Sequence, residues 1–518
     1  MGVINIEISN KFILVLLLTF AVLFMISPIY GESLNVSDSH SEIESGFNNY
    51  DVNNVQITDN GTNNYNYNTN NESLAIKSSD QVGKSDVTTY TSKVFIITDD
   101  NYSQYFNLFT GKLLSNSGIS PGDTIKIGNV SNKAFIIDIP LTLTSTGANV
   151  QITNGVIHLI LGSDGSNVTN LKILNDKTKI EYQGVYVTDL HGIWLTNTNN
   201  NLIFNNSVQV ADALKVFAMP MGWSSNNTII YNRLISTWST CMPMGLCHNN
   251  NISYNYMQTT AANIIYYNPY GHADYGGPAD CYNNSITNNY LYAIYAGDTV
   301  IGMQLVYSEH QNTKIINNTL VHQFYGISLY GINSTVVGNT LINMSAYAIS
   351  ITSSNLLLEN NTIIAVDSYY GGGIYVGSDG YNKNITVTGN KITITNGCYN
   401  GIYIKGDDII VENNQIDFHN FGVGINIIGN NTKILNNLIK TQVDPGISLA
   451  TSYAIIIGNN IRAGSYGIYF KTNNKKFYFT SIINNTIVSN DYAIFLQGTI
   501  YNTTIIGNKI STNASVGI

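Results

Sequence analysis

One short phrase limits the fold more than anything else in this chain: apolar-x-x-Asn-x-apolar, repeated from about residue 200 onward. It reads IIYNRL around Asn232, ITNNYL around Asn289, IINNTL around Asn318 and VVGNTL around Asn339. It continues as VTGNKI at Asn390, ILNNLI at Asn437, IIGNNI at Asn459, IINNTI at Asn485 and IIGNKI at Asn508. Looser copies centre on Asn206, Asn255, Asn361 and Asn414. Successive copies lie about 25 residues apart on average, within the range of repeat solenoids.

Each repeat is too short for a pair of packed helices. Its runs of Ile, Val, Thr and Tyr, broken by Asn and Gly, read as short strands and turns. A second run follows each phrase: GISL at Gly326, GGIYV at Gly372, GIYIKG at Gly401, GIYF at Gly467 and AIFL at Ala493. One coil therefore holds at least two strands. The expected fold is all-β, a single-stranded parallel β-helix whose alternate residues fill a narrow apolar core. The preference of parallel crossovers makes it right-handed. A leucine-rich repeat also carries a recurrent Asn, but its Leu-x-x-Leu-x-Leu frame is absent here.

Stacked coils sit about 4.8 Å apart, which places each recurrent Asn over the one before. Its amide can donate to one neighbour and accept from the other, as in polar cross-β ladders. Carboxylates stacked in the same way would repel, so Asn recurs and Asp does not.

The two ends differ from this body. Lys11 precedes an apolar run from Phe12 to Ile26, followed by small residues near Gly31. Residues 1–31 therefore read as an export signal, or as a membrane anchor if uncleaved. Residues 32–90 lack hydrophobic periodicity and hold most of the acidic excess behind the net charge of −9. They read as a disordered Asn/Ser-rich spacer. Residues 91–150 form an N-terminal cap and first coils. There Tyr105, Phe106, Phe109, Leu113 and Leu114 predict a short amphipathic helix, and solenoid ends require such cover. Residues 151–518 are the repeats. Arg occurs only at Arg233 and Arg462. Without Arg clusters to grip phosphates, nucleic acid is not an expected partner.

Together, the leader, the Asn-rich spacer, the stretch Ile97 to Leu143 with Gly122-Asp123-Thr124-Ile125, and the Asn-laddered coils resemble a known family. It is the Asn/Thr-rich adhesin-like surface proteins of methanogenic archaea, within the pectate-lyase-like β-helix superfamily. The resemblance implies a secreted or cell-surface protein whose repeats carry no catalytic motif, with glycans or cell-envelope components as partners. It implies no cofactor.

Chemistry-bearing residues gather where the repeat is irregular, between 210 and 310. The longest insertion, Tyr267 to Asn284, carries Tyr270, His272, Asp274 and Tyr275. With Trp223, Tyr282 and further tyrosines these could form a sugar-stacking platform. CHNNNISYNYM from Cys247 matches CYNNSITNNYL from Cys281, so these cysteines should stack in adjacent coils, either bridged or as packed thiols. The same alignment brings Asp280 near Glu309, and His248 near His310.

Three chemistries fit that corner. Paired carboxylates could hydrolyse a glycoside with retention. Cys247, Cys281, His248 and His310 could bind zinc, although no local ligand motif is present and no metal is assigned. The residues favour the third, a polar turn without chemistry. Gly406-Asp407-Asp408 resembles one polygalacturonase motif, but the companion Gly-His-Gly and Arg-x-Lys are missing. The expected role is adhesin-like display or binding, with a polysaccharide hydrolase or lyase as the alternative. Sequons occur at Asn333, Asn384 and Asn502, where turns are expected. Those beside the ladder, Asn317 and Asn360, are expected to be poor acceptors because their neighbours are buried.

Overall fold

The computed structural model describes residues 92–518, apart from 212–215, 261–263, 268–280, 294–300, 303–309, 367–370, 378–381, 472–475 and 514–516. The chain divides into Met1–Thr88 and Thr89–Ile518. The expected leader and spacer lie outside the described residues. No helix among the described residues is long and apolar enough to cross a membrane.

The second unit is a right-handed parallel β-helix. A representative coil has three strands, Ile327–Ile332, Thr335–Val337 and Thr340–Ile342. The first two join a 30-stranded sheet and the third a 16-stranded sheet. Each strand pairs in parallel with its counterpart one coil on, as Ile327 with Ile349 and Leu341 with Ile363. The inward residues Ile315, Val336, Leu358, Val387 and Val411 stack into one continuous, fully buried core. Alternation along each strand sends the neighbours outward.

The Asn column is unbroken from Asn206 to Asn508. In every coil the backbone N–H and the Nδ2 both donate to the Oδ1 of the next Asn. Asn339 does so to Asn361 at 3.0 and 2.9 Å, and Asn390 to Asn414 at 2.9 Å for both. The second Nδ2 hydrogen reaches a backbone carbonyl of the preceding coil, as from Asn361 to Val336 at 2.9 Å. Each buried amide is thus fully satisfied, as burial demands. A second inner ladder runs Asn201, Asn227, Asn250, Asn284. Beyond it Thr313 and Ser334 take the position, their hydroxyls buried without a partner.

The residue before each ladder Asn is a corner with positive φ, for example Asn317 at 55°, Gly338 at 67°, Asn360 at 52° and Gly389 at 65°. Asn and Gly are the residues that adopt this left-handed conformation most readily. They also fit each other between coils. A Cβ on Gly338 would lie 2.2 Å from Asn317 Oδ1, and one on Gly389 2.3 Å from Asn360 Oδ1. Tyr231 and Tyr254 occupy this corner in consecutive coils, with their rings stacked at 5.1 Å. Asn317 and Asn360 face solvent, not the core.

At the N-terminus the expected helix is a single turn, Tyr102–Tyr105. Asn107 Oδ1 accepts the N–H groups of Phe109 and Thr110, and Gly111 takes φ 67°, so the chain folds back. Phe106 then bridges to Leu113 in antiparallel fashion. The cover comes from aromatic packing: Phe106 lies 5.3 Å from Tyr102 and 5.1 Å from Phe135. An antiparallel hairpin, Lys179–Tyr182 with Val185–Asp189, interrupts the early coils. Its turn residues Gln183 and Gly184 have φ 52° and 79°, both positive as a tight two-residue hairpin turn requires. Ile180 packs outside the solenoid with Ala134, Ile136 and Val156, forming a second small core.

The ladder should dominate stability. Replacing Asn390 by Ala strands two donors of Asn361 in the interior, at about 1–3 kcal/mol each. Urea unfolding should show a loss of about 2–6 kcal/mol for Asn390→Ala, against less than about 1 kcal/mol for the exposed strand residue change Lys391→Ala.

Candidate functional site

The insertion residues Tyr270, His272, Asp274 and Tyr275 and the carboxylates Asp280 and Glu309 all lie outside the described residues. His310 is placed only by its backbone, which pairs with Gly331. The remaining residues of that region form a packed corner. Coil register sets Thr228, Asn251, Ser285 and Lys314 in one column. His248 therefore lies against Tyr282, rings stacked at 4.8 Å and 10° apart. His248 Nδ1 accepts the Tyr282 N–H at 3.1 Å, and Ser225 Oγ accepts the His248 N–H at 3.1 Å. Trp223 occupies a corner at φ 49° and is half-buried.

Cys247 and Cys281 do stack, but no disulfide joins them, and Cys241 and Cys398 are likewise unbridged. Instead of a bridge, Cys281 Sγ accepts the Cys247 N–H at 3.5 Å, and the Cys247 thiol donates to the Gly245 carbonyl at 3.2 Å. Burial pushes the Cys247 thiol up to about 11, and Cys241 and Cys398 to about 12. These are protonated packing groups rather than nucleophiles. Among the described residues no three His, Cys, Asp or Glu side chains are placed to hold a metal.

A better-formed surface lies on the outer face of the first strand of each coil. The inward residues of this column run Ile327, Ile349, Ile374, Ile402, Ile425, Ile447, Ile468 and Ile494. The residue after each points outward: Ser328, Ser350, Tyr375, Tyr403, Asn426, Ser448, Tyr469 and Phe495. None carries a charge. Tyr375 and Tyr403 stack at 5.0 Å and 7°, and Tyr347 joins them at 4.8 Å, tilted by 43°. Glycines clear the space these rings need. A Cβ on Gly372 would come within 3.0 Å of Tyr347, and one on Gly377 within 3.1 Å of Tyr375.

Burial, then the neighbouring phenols, pushes Tyr347 up to about 12 and also raises Tyr403. Tyr347 and Tyr403 therefore keep neutral hydroxyls across the physiological range. Asn426 Nδ2 donates to Asn400 Oδ1 at 3.0 Å beside it. Further along the same face Tyr466 stacks on Tyr469 at 5.0 Å and on Phe495 at 5.2 Å. The Tyr469 hydroxyl donates to Gln497 at 2.7 Å.

The same outward column begins with Ile136, His158 and Trp194. His158 lies flat on Trp194 at 3.8 Å and 3°, and its Nε2 bonds the Thr196 hydroxyl at 3.0 Å. His191 meets Trp194 edge-on at 4.7 Å and stacks on Phe217 at 5.2 Å. Burial, then the nearby His191, lowers His158 to about 3. The aromatic face was readable as the residue after Gly-Ile in GGIYV, GIYIKG and GIYF, whereas His158 and Trp194 carry no comparable signal.

A family model described as a right handed beta helix region matches residues 304–447 and, overlapping, 366–510. No curated protein matches the chain in sequence. Among solved structures, the chain is similar to the A-module of the Azotobacter vinelandii mannuronan C-5 epimerase AlgE6. Identity is 14%, with 75% of this chain and 91% of that one covered, at a TM-score of 0.33. It is also similar to PfbA, a surface protein and adhesin of Streptococcus pneumoniae: 13% identity, 81% and 99% covered, TM-score 0.33. A third is the catalytic unit of a GH87 α-1,3-glucanase from Streptomyces thermodiastaticus, with 13% identity, 76% and 64% covered, and a TM-score of 0.37. These likenesses are of fold alone.

Two measurements follow from the site. The unfolded chain binds a proton at His158 below about pH 6.5, while the folded chain does not until about pH 3. Stability should fall with pH across that window by about 1 kcal/mol per pH unit from this group, a share absent in His158→Leu. Alkylation followed by mass spectrometry should leave all four thiols unmodified in the native protein and label all four after denaturation without reductant.

Proposed function

We propose that this chain is an exported, cell-surface rod that binds a neutral polysaccharide or cell-envelope glycan along its first-strand face, without turning it over. The observation that carries this reading is the row Tyr347, Tyr375 and Tyr403. Its rings pack on one another with centroids 4.8 and 5.0 Å apart and are flanked by the Asn400 and Asn426 amides. Apolar ring edges alternating with hydroxyl and amide groups match the mixed character of a sugar surface. The single column of outward positions from Ser328 to Phe495 carries no charge, which favours a neutral ligand along it, with the Lys405 ammonium beside Tyr403 at its edge. An adhesin-like role follows from a rigid rod, an expected export leader and an expected flexible spacer that carries the binding face away from its point of attachment.

The test is binding of the full chain to a panel of neutral and acidic polysaccharides, with product release followed in parallel. Each aromatic contributes about 0.5–1.5 kcal/mol, so Tyr375→Ala/Tyr403→Ala should weaken binding about tenfold or more. Tyr453→Ala/Phe479→Ala, a stacked pair at a corner off this face, should leave it unchanged. Release of shortened product by the wild-type chain would replace this reading with a polysaccharide-degrading enzyme. Binding indifferent to the Tyr375/Tyr403 change would remove the face from consideration.

A further inference from the structure

From the coil of Asn167–Thr169 onward, two corners of positive φ flank the second strand. In five consecutive coils an Asn-x-Ser/Thr sequon falls at one of these two corners, and the choice alternates. Asn283 stands before the second strand of its coil and Asn317 after the second strand of the next. Asn333 stands before, Asn360 after, and Asn384 at the equivalent leading corner, a positive-φ residue near the start of Asn382–Thr388. The opposite corner of each coil is occupied by Asn288, Asn312, Gly338, Asn355 or Gly389, none of which begins a sequon. All five sequon asparagines are exposed, with φ between 52° and 57°. Their +2 residues are partly exposed; Ser285, Thr319, Thr335 and Thr362 open the outgoing strand, and Thr386 lies within Asn382–Thr388.

We propose that Asn283, Asn317, Asn333, Asn360 and Asn384 are attachment points for oligosaccharides, one per coil on alternating edges of the second strand. The inference rests on the export reading, because the modifying chemistry acts on exported chains. Three features carry it. At these left-handed corners each asparagine is exposed along the edge of the stack, its amide lying against the neighbouring coil with one side open to a transferase and a bulky substituent. The alternation separates neighbouring sites within a row by two coils, about 10 Å, where adjacent coils would crowd them at about 4.8 Å.

The row before the second strand also remains intact after modification. Asn333 Nδ2 donates to Asn312 Oδ1 at 3.1 Å and Asn384 Nδ2 to Asn355 Oδ1 at 2.8 Å, and each Nδ2 has a second hydrogen to lose. In the transfer, Nδ2 gives up that proton and bonds to C1 of a lipid-linked oligosaccharide. The bond from C1 to the carrier phosphate oxygen breaks, and that oxygen keeps the electron pair. Nothing is oxidised or reduced. Sugars at these corners cover the second-strand face, with its half-buried Ile316, Val337 and Leu357, and leave the Tyr347–Tyr375–Tyr403 face open. A further exposed sequon, Asn343, lies beyond the third strand, where its Nδ2 meets His322.

The full chain, produced from its own start in cells that modify a reporter sequon, is fractionated and its peptides are weighed. The expected result is exported protein with the five corner peptides heavier by one oligosaccharide each. In Thr335→Val, which keeps the Asn333 amide but removes the sequon hydroxyl, only the Asn333 peptide should return to its bare mass. Exported chain with bare corner asparagines overturns the proposal and leaves the export reading standing. Chain retained inside the cell overturns the export reading and this proposal with it.

Discussion

The structure depends on a column of buried asparagine amides. Each side chain offers two donors and two acceptor sites, and the stack uses them all: two bonds into Oδ1 from one coil, one out to the next, one back to a carbonyl. The cost of an unmet amide in this interior is what makes the position intolerant of other residues. Apolar packing fills the coil cross-section, but Ile, Val and Leu substitute for one another freely along it. The amide column is what fixes register, because a slip by one residue would bury a strand residue where an amide must sit.

The fold was legible because this constraint repeats. A ladder Asn marks the start of the third strand in each coil, and alternation within TLI or KIT shows which residues face in. The companion features were also present, though less obvious. Asn317-Asn318 and Gly338-Asn339 read as one Asn motif, yet the first residue of each pair is an exposed corner and only the second is buried. Asn317 and Asn360 do stand beside buried residues, as expected, but are themselves exposed, because adjacent residues at a corner point to opposite sides of the wall. The one-turn helix at Tyr102 was over-read because its aromatic spacing suits a helix. The Asn107 turn and Gly111, which end it, are local hydrogen-bonding effects that hydrophobic periodicity does not register.

The candidate site was less legible. Rare residues drew the eye to 210–310, where His248, Tyr282 and the cysteines prove to be occupied with packing and hydrogen bonds to neighbouring coils. The aromatic face instead arises from common residues in an ordinary register. Tyr375 and Tyr403 are unremarkable singly, and become a surface only because each follows an inward Ile in successive coils. Such a face depends on the coil-to-coil register, which no single repeat displays. The second inner ladder, Asn201 to Asn284, was hidden for the opposite reason: it is short and fades into Thr313 and Ser334 before its period can be noticed.

The amide column has an electrical direction. Every ladder Asn from Asn206 to Asn485 sends its backbone N–H and one Nδ2 hydrogen toward the next higher-numbered coil, and its side-chain oxygen faces back toward the lower-numbered one. The side-chain dipoles therefore add along the rod, much as peptide dipoles add along a helix, and each bond polarises the next. A growing stack presents donors at its advancing end and acceptors behind. An incoming coil is thus met by unpaired amide hydrogens already aimed at the position its own asparagine oxygen must take, which gives assembly along the axis a preferred partner geometry at every step.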